Sequence, residues 1–362
     1  MKVVLFRVSI LFFGMAALGT SASFAQSGWF WQNPLPQGNF LFAAAAPDAS
    51  TVVAVGDAGT ILRTDDGGAT WTPQSSGTTQ PLFGVSFVDA NTGTAVGGFG
   101  TILRTDDGGA TWTPQSSGTF NTLFGVSFVD AYTGTAVGGF GTILRTDDGG
   151  ATWTPQSSGT LQILSGVSFV DANTGTAVGG SFPGQTILRT TDGGATWTPQ
   201  FSGTTQFLRG VSFVDANTGT AVGDSGTILR TDNGGASWTP LSSGTPQPLF
   251  GVSFVDANTG TAVGSFGTIL RTTDGGATWT PQSSGTFNTL SGVSFVDANT
   301  GTAVGGSFRV GTILRTDDGG ATWTPQSSGI GQSLLGVSFV DADTGTAVGD
   351  SGTILRTTTG GQ

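Results

Sequence analysis

The residues best suited to chemistry are aspartates that recur in a fixed motif. The motif reads Thr-x-Asp-x-Gly-x-Thr-Trp, and its first copy runs from Thr64 to Trp71. A carboxylate in such a turn could act as an acid or base, bind Ca²⁺, or accept hydrogen bonds from turn amides. The position is occupied by Asp66, Asp107, Asp148, Asp192, Asn233, Asp274 and Asp318. Because one copy carries Asn, an acceptor that is neither acid nor nucleophile, the pattern favours a structural role.

The residue inventory limits the other chemistry. The 362 residues include no His, Cys or Glu, and the only lysine is Lys2, so most general acids, bases, nucleophiles and soft metal ligands are missing. The Asp-Asp-Gly-Gly clusters lack the spacing and terminal Glu of an EF-hand loop. We therefore predict no catalytic residue, no metal and no cofactor. A pair of aspartates could still hydrolyse glycosides in principle, so carbohydrate binding or hydrolysis is the alternative.

The elements that position these aspartates form a long repeat. Successive motif tryptophans, from Trp71 to Trp323, are 41, 41, 44, 41, 41 and 44 residues apart. Each unit divides at its Gly, Asn and Asp clusters into four short strand-like runs, which we name A to D. In the second unit we predict them at 84–88, 94–97, 101–105 and 111–115. Four strands per period of this length predict a β-propeller blade.

The ends of the chain predict the number of blades. Thr-Ile-Leu-Arg-Thr occurs eight times, and the last unit stops where its D strand should begin. A surplus strand at 29–34 could complete that unit, because Trp31 precedes Trp71 by 40 residues. We therefore predict an all-β protein: an eight-bladed β-propeller of four-stranded antiparallel blades, closed by the N-terminal strand completing the last blade. The propeller is a single domain, 26–362, with the closing strand within 26–38; a seven-bladed ring is the alternative.

The first 25 residues have a different composition. Lys2 and Arg7 precede an apolar stretch at 8–18, and Ser23 and Ala25 occupy small-residue cleavage positions. We predict that 1–25 is a signal peptide, that the protein is secreted or periplasmic, and that the mature chain has no membrane span. Removing two cations changes the net charge from −11 to −13, which argues against a nucleic-acid partner.

Several motifs together resemble a known family. The G-T-I-L-R-T-x-D-G-G-A-T-W units and the V-S-F-V-D strand are similar to Asp-box, or bacterial neuraminidase repeat, propellers of the photosystem II stability and assembly factor family. The resemblance implies a seven-bladed, non-enzymatic chaperone that binds assembling photosystem II subunits. Asp-boxes also occur in sialidases. The Tyr and Glu nucleophile pair of those enzymes is absent here, because Tyr132 is the only Tyr and there is no Glu.

Variation among the repeats predicts a binding surface. The A-to-B and C-to-D turns barely change, whereas the D-to-A loops differ and the B-to-C loops hold two insertions, at Gly179 and Gly305. In an up-and-down blade these two variable loops share one face. We predict that this face binds a protein client or surface partner, with carbohydrate as the alternative. The candidate binding residues are Phe99, Phe120, Phe140, Phe182, Phe207, Phe266, Phe287, Phe308 and Arg309.

Charged residues are predicted to gather on the opposite face. An arginine ends each C strand and an aspartate ends each A strand, and antiparallel order brings both sets to one side of the ring. The arginines are Arg63, Arg104, Arg145, Arg189, Arg230, Arg271, Arg315 and Arg356. The aspartates are Asp48, Asp89, Asp130, Asp171, Asp215, Asp256, Asp297 and Asp341. The pattern is compatible with an ion-pair network or with an arginine surface that binds anions.

Overall fold

The structure, a computed structural model, describes residues 28–31, 38–181, 184–307, 310–327 and 331–361. The predicted signal peptide, 1–25, lies outside these residues. Eight four-stranded antiparallel sheets are present, and the innermost strands of neighbouring sheets pack side by side around a closed ring. The prediction of an eight-bladed β-propeller is confirmed, and the seven-bladed alternative is wrong.

Each blade is built from consecutive strands in the order A, B, C, D, and only the eighth takes its D strand from the start of the chain. Blades 1 to 4 contain β2 (Leu41–Ala45), β3 (Val52–Gly56), β4 (Ile61–Thr64), β5 (Thr72–Gln74); β6 (Leu82–Phe87), β7 (Gly93–Gly97), β8 (Ile102–Thr105), β9 (Thr113–Gln115); β10 (Leu123–Phe128), β11 (Gly134–Gly138), β12 (Ile143–Thr146), β13 (Thr154–Gln156); and β14 (Ile163–Phe169), β15 (Gly175–Ser181), β16 (Gly184–Thr190), β17 (Thr198–Pro199). Blades 5 to 8 contain β18 (Leu208–Phe213), β19 (Gly219–Gly223), β20 (Ile228–Thr231), β21 (Thr239–Leu241); β22 (Leu249–Phe254), β23 (Gly260–Gly264), β24 (Ile269–Thr272), β25 (Thr280–Gln282); β26 (Thr289–Phe295), β27 (Gly301–Ser307), β28 (Val310–Thr316), β29 (Thr324–Gln326); and β30 (Leu334–Phe339), β31 (Gly345–Gly349), β32 (Ile354–Thr357), β1 (Phe30–Trp31).

Short 3₁₀ turns connect B to C in six blades. They are η1 (Asp57–Gly59), η2 (Gly98–Gly100), η3 (Gly139–Gly141), η4 (Asp224–Gly226), η5 (Ser265–Gly267) and η6 (Asp350–Gly352). In blades 4 and 7 the three-residue insertions lengthen strands B and C instead. Among the described residues, no helix has the length and apolar character needed to cross a membrane.

Two glycine positions explain why the repeat is so uniform. In blade 2 a Cβ on Gly93 would lie 2.6 Å from ring carbons of Phe87, and one on Gly97 would lie 2.1 Å from the carbonyl oxygen of Pro81. Both approaches are far inside van der Waals contact, so any side chain at either position would force strands A and B apart. The Gly-Thr-Ala-Val-Gly segment is thus constrained at both ends by close packing.

The hydrophobic core lies between neighbouring sheets. Between blades 2 and 3, Val96 and Ile102 pack against Leu123, Leu144 and Trp153, all of them buried. The same packing recurs around the ring, and in each of blades 2 to 7 the motif Trp meets the Phe that ends strand A edge-on. Edge-to-face pairs of this kind add about 1 kcal/mol beyond the burial of their apolar area.

The N-terminal strand closes the ring as predicted, but in a different register. β1 pairs with β32, and Phe30 lies opposite Arg356. In blade 2 the residue opposite the corresponding arginine, Arg104, is Thr113, so Phe30 takes the position that Thr113 has there. Trp29, buried at 3% exposure, therefore occupies the motif position and meets Phe339 edge-on at 5.9 Å. The assignment of Trp31 to the motif register was wrong, because this junction spans 42 residues from Trp29 to Trp71, one more than the usual period.

The two faces of the ring differ in charge. We call the face of the D-to-A loops and B-to-C turns the loop face, and the face of the A-to-B and C-to-D turns the Asp-box face. Of the 23 acidic residues, all but Asp57, Asp224 and Asp350 lie in turns of the Asp-box face. The C-strand arginines end on that face as well, which leaves Arg209 as the one described cation of the loop face.

Candidate functional site

The Asp-box aspartate organises its own turn. Asp66 Oδ1 accepts hydrogen bonds from the Thr64 hydroxyl (2.8 Å) and the Thr70 amide (2.9 Å), and Oδ2 accepts one from the Thr70 hydroxyl (2.6 Å). The Thr64 oxygen in turn accepts from the Gly68 amide at 2.8 Å. The same bonds recur at Asp107, Asp148, Asp192, Asp274 and Asp318.

Blade 5 keeps this turn with an amide. Asn233 Oδ1 accepts from the Thr231 hydroxyl and the Ser237 amide, as the carboxylates do. Its Nδ2 donates to the Ser237 hydroxyl at 2.9 Å, so the hydroxyl there is the acceptor, whereas the Thr hydroxyl of the other blades is the donor. The Asn and Ser substitutions therefore compensate one another within one hydrogen-bonded turn.

These carboxylates are unsuited to general acid catalysis. The hydrogen bond from the Thr70 hydroxyl, followed by that from the Thr70 amide, lowers the pKa of Asp66 to about 2, and equivalent bonds do the same at Asp192, Asp274 and Asp318. A carboxyl group with such a pKa is ionised at neutral pH and has no proton to donate. Within the described part of the chain, no three aspartates come together as metal ligands.

The depressed pKa values predict acid sensitivity. Because the folded pKa of about 2 lies below the ordinary value of 3.8, these groups stabilise the fold above about pH 4, and that contribution disappears as the pH falls through 2. We expect the thermal unfolding midpoint to drop steeply between these limits. A variant that copies blade 5 at Asp192 and Thr196, Asp192→Asn with Thr196→Ser, should show a shallower drop. Equal profiles for the two proteins would contradict this account.

The C-strand arginines link neighbouring blades. Arg104 donates from Nη2 to the Ala131 carbonyl of blade 3 (2.8 Å), from Nε to Asp106 (2.9 Å), and its guanidinium lies 5.6 Å from the Phe128 ring. Arg356 closes the ring in the same way with a 2.6 Å bond to the Ala49 carbonyl of blade 1. The arginines form a structural network, and all but the first are buried.

The predicted partners of these arginines need correction. In blades 1, 2, 3, 5 and 7 the ion pairs join the arginine to the aspartate two residues later, as in Arg104–Asp106 and Arg145–Asp147, not to the aspartate that ends strand A. The A-strand aspartates instead accept amide hydrogen bonds within the A-to-B turn, as Asp89 does from Asn91 and Thr92 at 2.8 Å. Threonine replaces the pairing aspartate in blades 4, 6 and 8, and there burial lowers the pKa of Arg189, Arg271 and Arg356.

The loop face exposes most of the predicted phenylalanines. Phe99, Phe140 and Phe266 occupy the middle of their B-to-C turns, are about two-thirds exposed, and have φ between 51° and 54°. Phe120 and Phe287, in D-to-A loops, are 85% and 89% exposed. A bulky residue in the left-handed region is a backbone outlier that costs about 1–2 kcal/mol. Three phenylalanines are thus held both exposed and strained on one face.

The other candidate residues fall in different places. The candidate binding residue Phe207 is half-buried, and the Arg209 guanidinium lies over its ring at 5.3 Å. It lies directly before strand A, where it packs, whereas Phe120 and Phe287 lie earlier in their loops. Phe182, Phe308 and Arg309, in the two insertions, lie outside the described residues.

A second set of loop-face residues was missed by the sequence reasoning. In every blade strand A carries a β-bulge, as between Leu82 and Gly84, where the pairing with strand B shifts by one residue. We call the eight bulged residues the bulge ring; they are Phe42, Phe83, Phe124, Ser165, Arg209, Phe250, Ser291 and Leu335. Bulges commonly re-aim a side chain beside a functional site. The available signal was that, in blades 2 to 8, this position alone varies within Leu-x-Gly-Val-Ser-Phe.

The bulge ring surrounds the central channel at the loop face. Strand A is the innermost strand, and Phe42, Ser165 and Leu335 line the channel cavity. The rings of Phe42, Phe83 and Phe124 follow one another around blades 1 to 3 at centroid distances of 5.3 and 5.7 Å. On the other side of the mouth, Arg209 lies 5.1 Å from the Phe250 ring. Among the residues that the structure describes, the mouth is therefore an aromatic arc facing one guanidinium.

Two loop-face aspartates differ in their surroundings. Asp224 accepts a 2.5 Å charged hydrogen bond from Arg209 Nε in blade 5. In blade 8 the bulge residue is Leu335, so Asp350 has no arginine on its own strand A, and burial raises its pKa to about 6. The repeat thus places one paired and one desolvated carboxylate in equivalent turns.

Replacing Asp350 is expected to stabilise the protein only at neutral pH. Its folded pKa of about 6 exceeds the ordinary 3.8, so ionisation destabilises the fold as the pH rises through 6, and below about pH 4 the effect vanishes. Asp350→Asn should raise the free energy of unfolding by about 1 kcal/mol at pH 7.5, after allowance for solvent screening, and leave it unchanged at pH 3.5. The control Asp224→Asn should lower it at pH 7.5. A gain at both pH values would refute the explanation.

These elements define the class of the protein: an eight-bladed β-propeller whose C-to-D turns carry the repeated Thr-x-Asp-x-Gly-x-Thr-Trp motif and whose loop face is aromatic. No family model matches the sequence, and no curated protein matches it significantly. Among solved structures it is similar to YCF48 bound to D1 peptide, with a TM-score of 0.62, 20% identity, and coverage of 94% of this chain and 99% of that one. The predicted resemblance to photosystem II assembly-factor propellers is confirmed for the fold.

Two further structures show the breadth of the likeness. YCF48 from Cyanidioschyzon merolae has a TM-score of 0.61 and 20% identity, with coverage of 91% of this chain and 99% of that chain. The GH74 xyloglucanase from Xanthomonas campestris has a TM-score of 0.59 and 14% identity, with coverage of 92% and 74% respectively. Identities this low establish the shared fold only, and both a binding protein and a glycoside hydrolase are built on it.

Proposed function

We propose that this protein is an exported, non-enzymatic scaffold that binds a protein client through its loop face. The observation that carries the proposal is the set of three exposed phenylalanines, Phe99, Phe140 and Phe266, held at positive φ. Exposure of an aromatic ring and backbone strain both cost stability, and strained residues concentrate at functional sites. The equivalent positions in blades 1, 5 and 8 hold Ala58, Ser225 and Ser351, so nothing in the turn itself requires an aromatic residue.

The Asp-box face supports the non-enzymatic part of the proposal. Its most regular carboxylates are engaged by threonine hydroxyls and amides, and those with the lowest pKa values carry no proton at neutral pH. Its arginines are turned into the gaps between blades, where they bond to backbone carbonyls. Neither group is left to act on a substrate.

The similarity to YCF48 supports a polypeptide as the partner class. That protein has been seen with a D1 peptide, and it shares the fold of this chain over almost its whole length. Exposed aromatic residues beside variable loops are typical anchors of protein interfaces. We therefore assign the loop face to a polypeptide client.

Site-specific photocrosslinking tests this function. Replacing Phe120 or Phe287 with p-benzoylphenylalanine should give a covalent adduct with a defined protein in the producing cells, because both side chains project from the loop face. The matched control is Tyr132, which is 67% exposed in an A-to-B turn of the opposite face and should give none. Absence of adducts at both loop positions, or equal adducts at Tyr132, would refute the proposal.

Carbohydrate remains the alternative ligand, since exposed aromatic rings also stack on sugars and a xyloglucanase shares the fold. Purified protein should release no reducing ends from xyloglucan. Hydrolysis abolished by one Asp-to-Asn change in an Asp-box would replace the scaffold function with an enzymatic one.

A further inference from the structure

We propose that the bulge ring is the specificity site of the loop face and receives an apolar segment of the client that carries one carboxylate. The inference rests on the proposed function and deepens it. It is carried by the juxtaposition at the channel mouth of an aromatic arc, Phe42, Phe83 and Phe124, with the guanidinium of Arg209.

The aromatic arc provides the apolar half of the site. The three residues are each half-buried, so part of each ring is accessible while the rest packs against its neighbours. Partly buried, pre-positioned rings lose little conformational entropy on binding and are effective anchors. The bulge sets their direction, because it interrupts the alternation of strand A at this one residue in each blade.

Arg209 provides the charged half. Its Nε donates to Asp224, and the guanidinium is held between the rings of Phe207 and Phe250 at 5.3 and 5.1 Å. Its side chain is 24% exposed, so the guanidinium is partly accessible from the mouth. An arginine fixed through Nε and partly exposed can turn its terminal amino groups to the planar oxygens of a carboxylate.

The other charged residues of the loop face determine where the carboxylate of the client can bind. Asp57 and Asp350 occupy the B-to-C turns of blades 1 and 8, and ring order places blade 5, with Arg209, opposite blade 1. Asp224 already pairs with Arg209, so blade 5 is close to neutral, whereas Asp57 and Asp350 add negative charge on the opposite side of the mouth. A carboxylate is therefore accepted best at blade 5, where the one described cation of the loop face lies. The apolar part of the segment then extends from Arg209 across the channel towards blades 2 and 3, where Phe99 and Phe140 continue the aromatic surface outward.

Two dyes that differ by one anionic group test the site directly. 8-Anilinonaphthalene-1-sulfonate and its uncharged parent N-phenyl-1-naphthylamine share the same aromatic body, and their dissociation constants can be measured by fluorescence titration. We expect the anionic dye to bind wild-type protein about fivefold more tightly than the uncharged one, which corresponds to about 1 kcal/mol for a partly exposed charge pair.

The variants separate the two halves of the site. Arg209→Gln should bring the two affinities together, whereas Phe83→Ser should weaken both dyes about tenfold. Serine is already the bulge residue of blades 4 and 7, so this variant should fold, and an unchanged unfolding midpoint verifies that it does. Tyr132→Asn, on the opposite face, should change neither affinity. Equal affinities in wild type, or an affinity ratio that survives Arg209→Gln, would overturn the proposal.

Client crosslinking distinguishes failure of the bulge-ring proposal from failure of the proposed function on which it rests. If adducts form at positions 120 and 287 and are undiminished by Arg209→Gln and Phe83→Ser, the loop face binds a client but the bulge ring is not its specificity site. If no adduct forms, the proposed function itself fails. Binding to phosphatidylcholine vesicles that is lost in Phe83→Ser would make a lipid surface the occupant, and would also overturn the proposal.

Discussion

Deleting residues 26–31 is expected to destabilise the protein by several kcal/mol and to convert it to dimers or larger assemblies. The deletion removes β1, and with it the burial of Trp29 against Phe339, a contact whose loss alone costs about 3–5 kcal/mol. It also leaves β32 as an unpaired edge, and an open edge invites pairing with another chain. Thermal unfolding and light scattering measure the two effects.

Two controls separate lost packing from lost closure. Trp112→Ala removes an equivalent ring, paired edge-on with Phe87 at 6.2 Å, but opens no sheet edge, so it should destabilise a protein that remains monomeric. A synthetic peptide of residues 26–38 added to the deleted protein should restore both the midpoint and the monomer. A deleted protein that is monomeric and as stable as wild type would show that β1 does not close the ring.

Changing Phe99, Phe140 and Phe266 together to glycine is expected to stabilise the fold and abolish client binding. Glycine relieves the positive φ of each turn, which should add about 1 kcal/mol for each substitution. The same change removes three exposed rings from the loop face, so crosslinking at Phe120 and Phe287 should be lost. Stability and function are therefore expected to move in opposite directions.

The matched control changes the same turn position in the other three blades. Ala58→Gly, Ser225→Gly and Ser351→Gly together relieve the same strain but remove no aromatic ring. This triple variant should gain similar stability and bind the client as wild type does. If the phenylalanine variant retains binding, the exposed rings are not the anchors; if it gains no stability, the strain is not stored in these turns.

The fold was predictable because the repeat supplies many copies of the same information. The spacing of the motif tryptophans predicts the blade, and eight C strands predict the ring. The register of β1 was not predictable, because a two-residue strand has no periodicity of its own and the junction before Trp71 is one residue longer than the repeat. The choice of Trp29 over Trp31 is made by packing against Phe339.

The candidate site was predicted only in part. Exposure of Phe99 and Phe120 follows from loop variability, which sequence shows directly. The burial of Phe207 beneath Arg209 depends on a cation–π contact that no spacing rule predicts. The bulge ring was hidden because a bulge breaks the alternation by which strand residues are assigned to faces. In blades 2 to 8 the bulge is the one position of Leu-x-Gly-Val-Ser-Phe that varies, and this variation was the only available sign of the bulge ring.

The separation of charge between the two faces determines how the molecule orients at a charged surface. At neutral pH the Asp-box face carries twenty of the 23 acidic groups together with the eight C-strand arginines, while the described part of the loop face carries three aspartates and Arg209. A positively charged matrix should therefore adsorb the ring flat, with its acidic side down and every aromatic loop directed into solution. An anion-exchange bead would serve as an oriented affinity support without any tag, until rising salt screens the attraction and releases the protein.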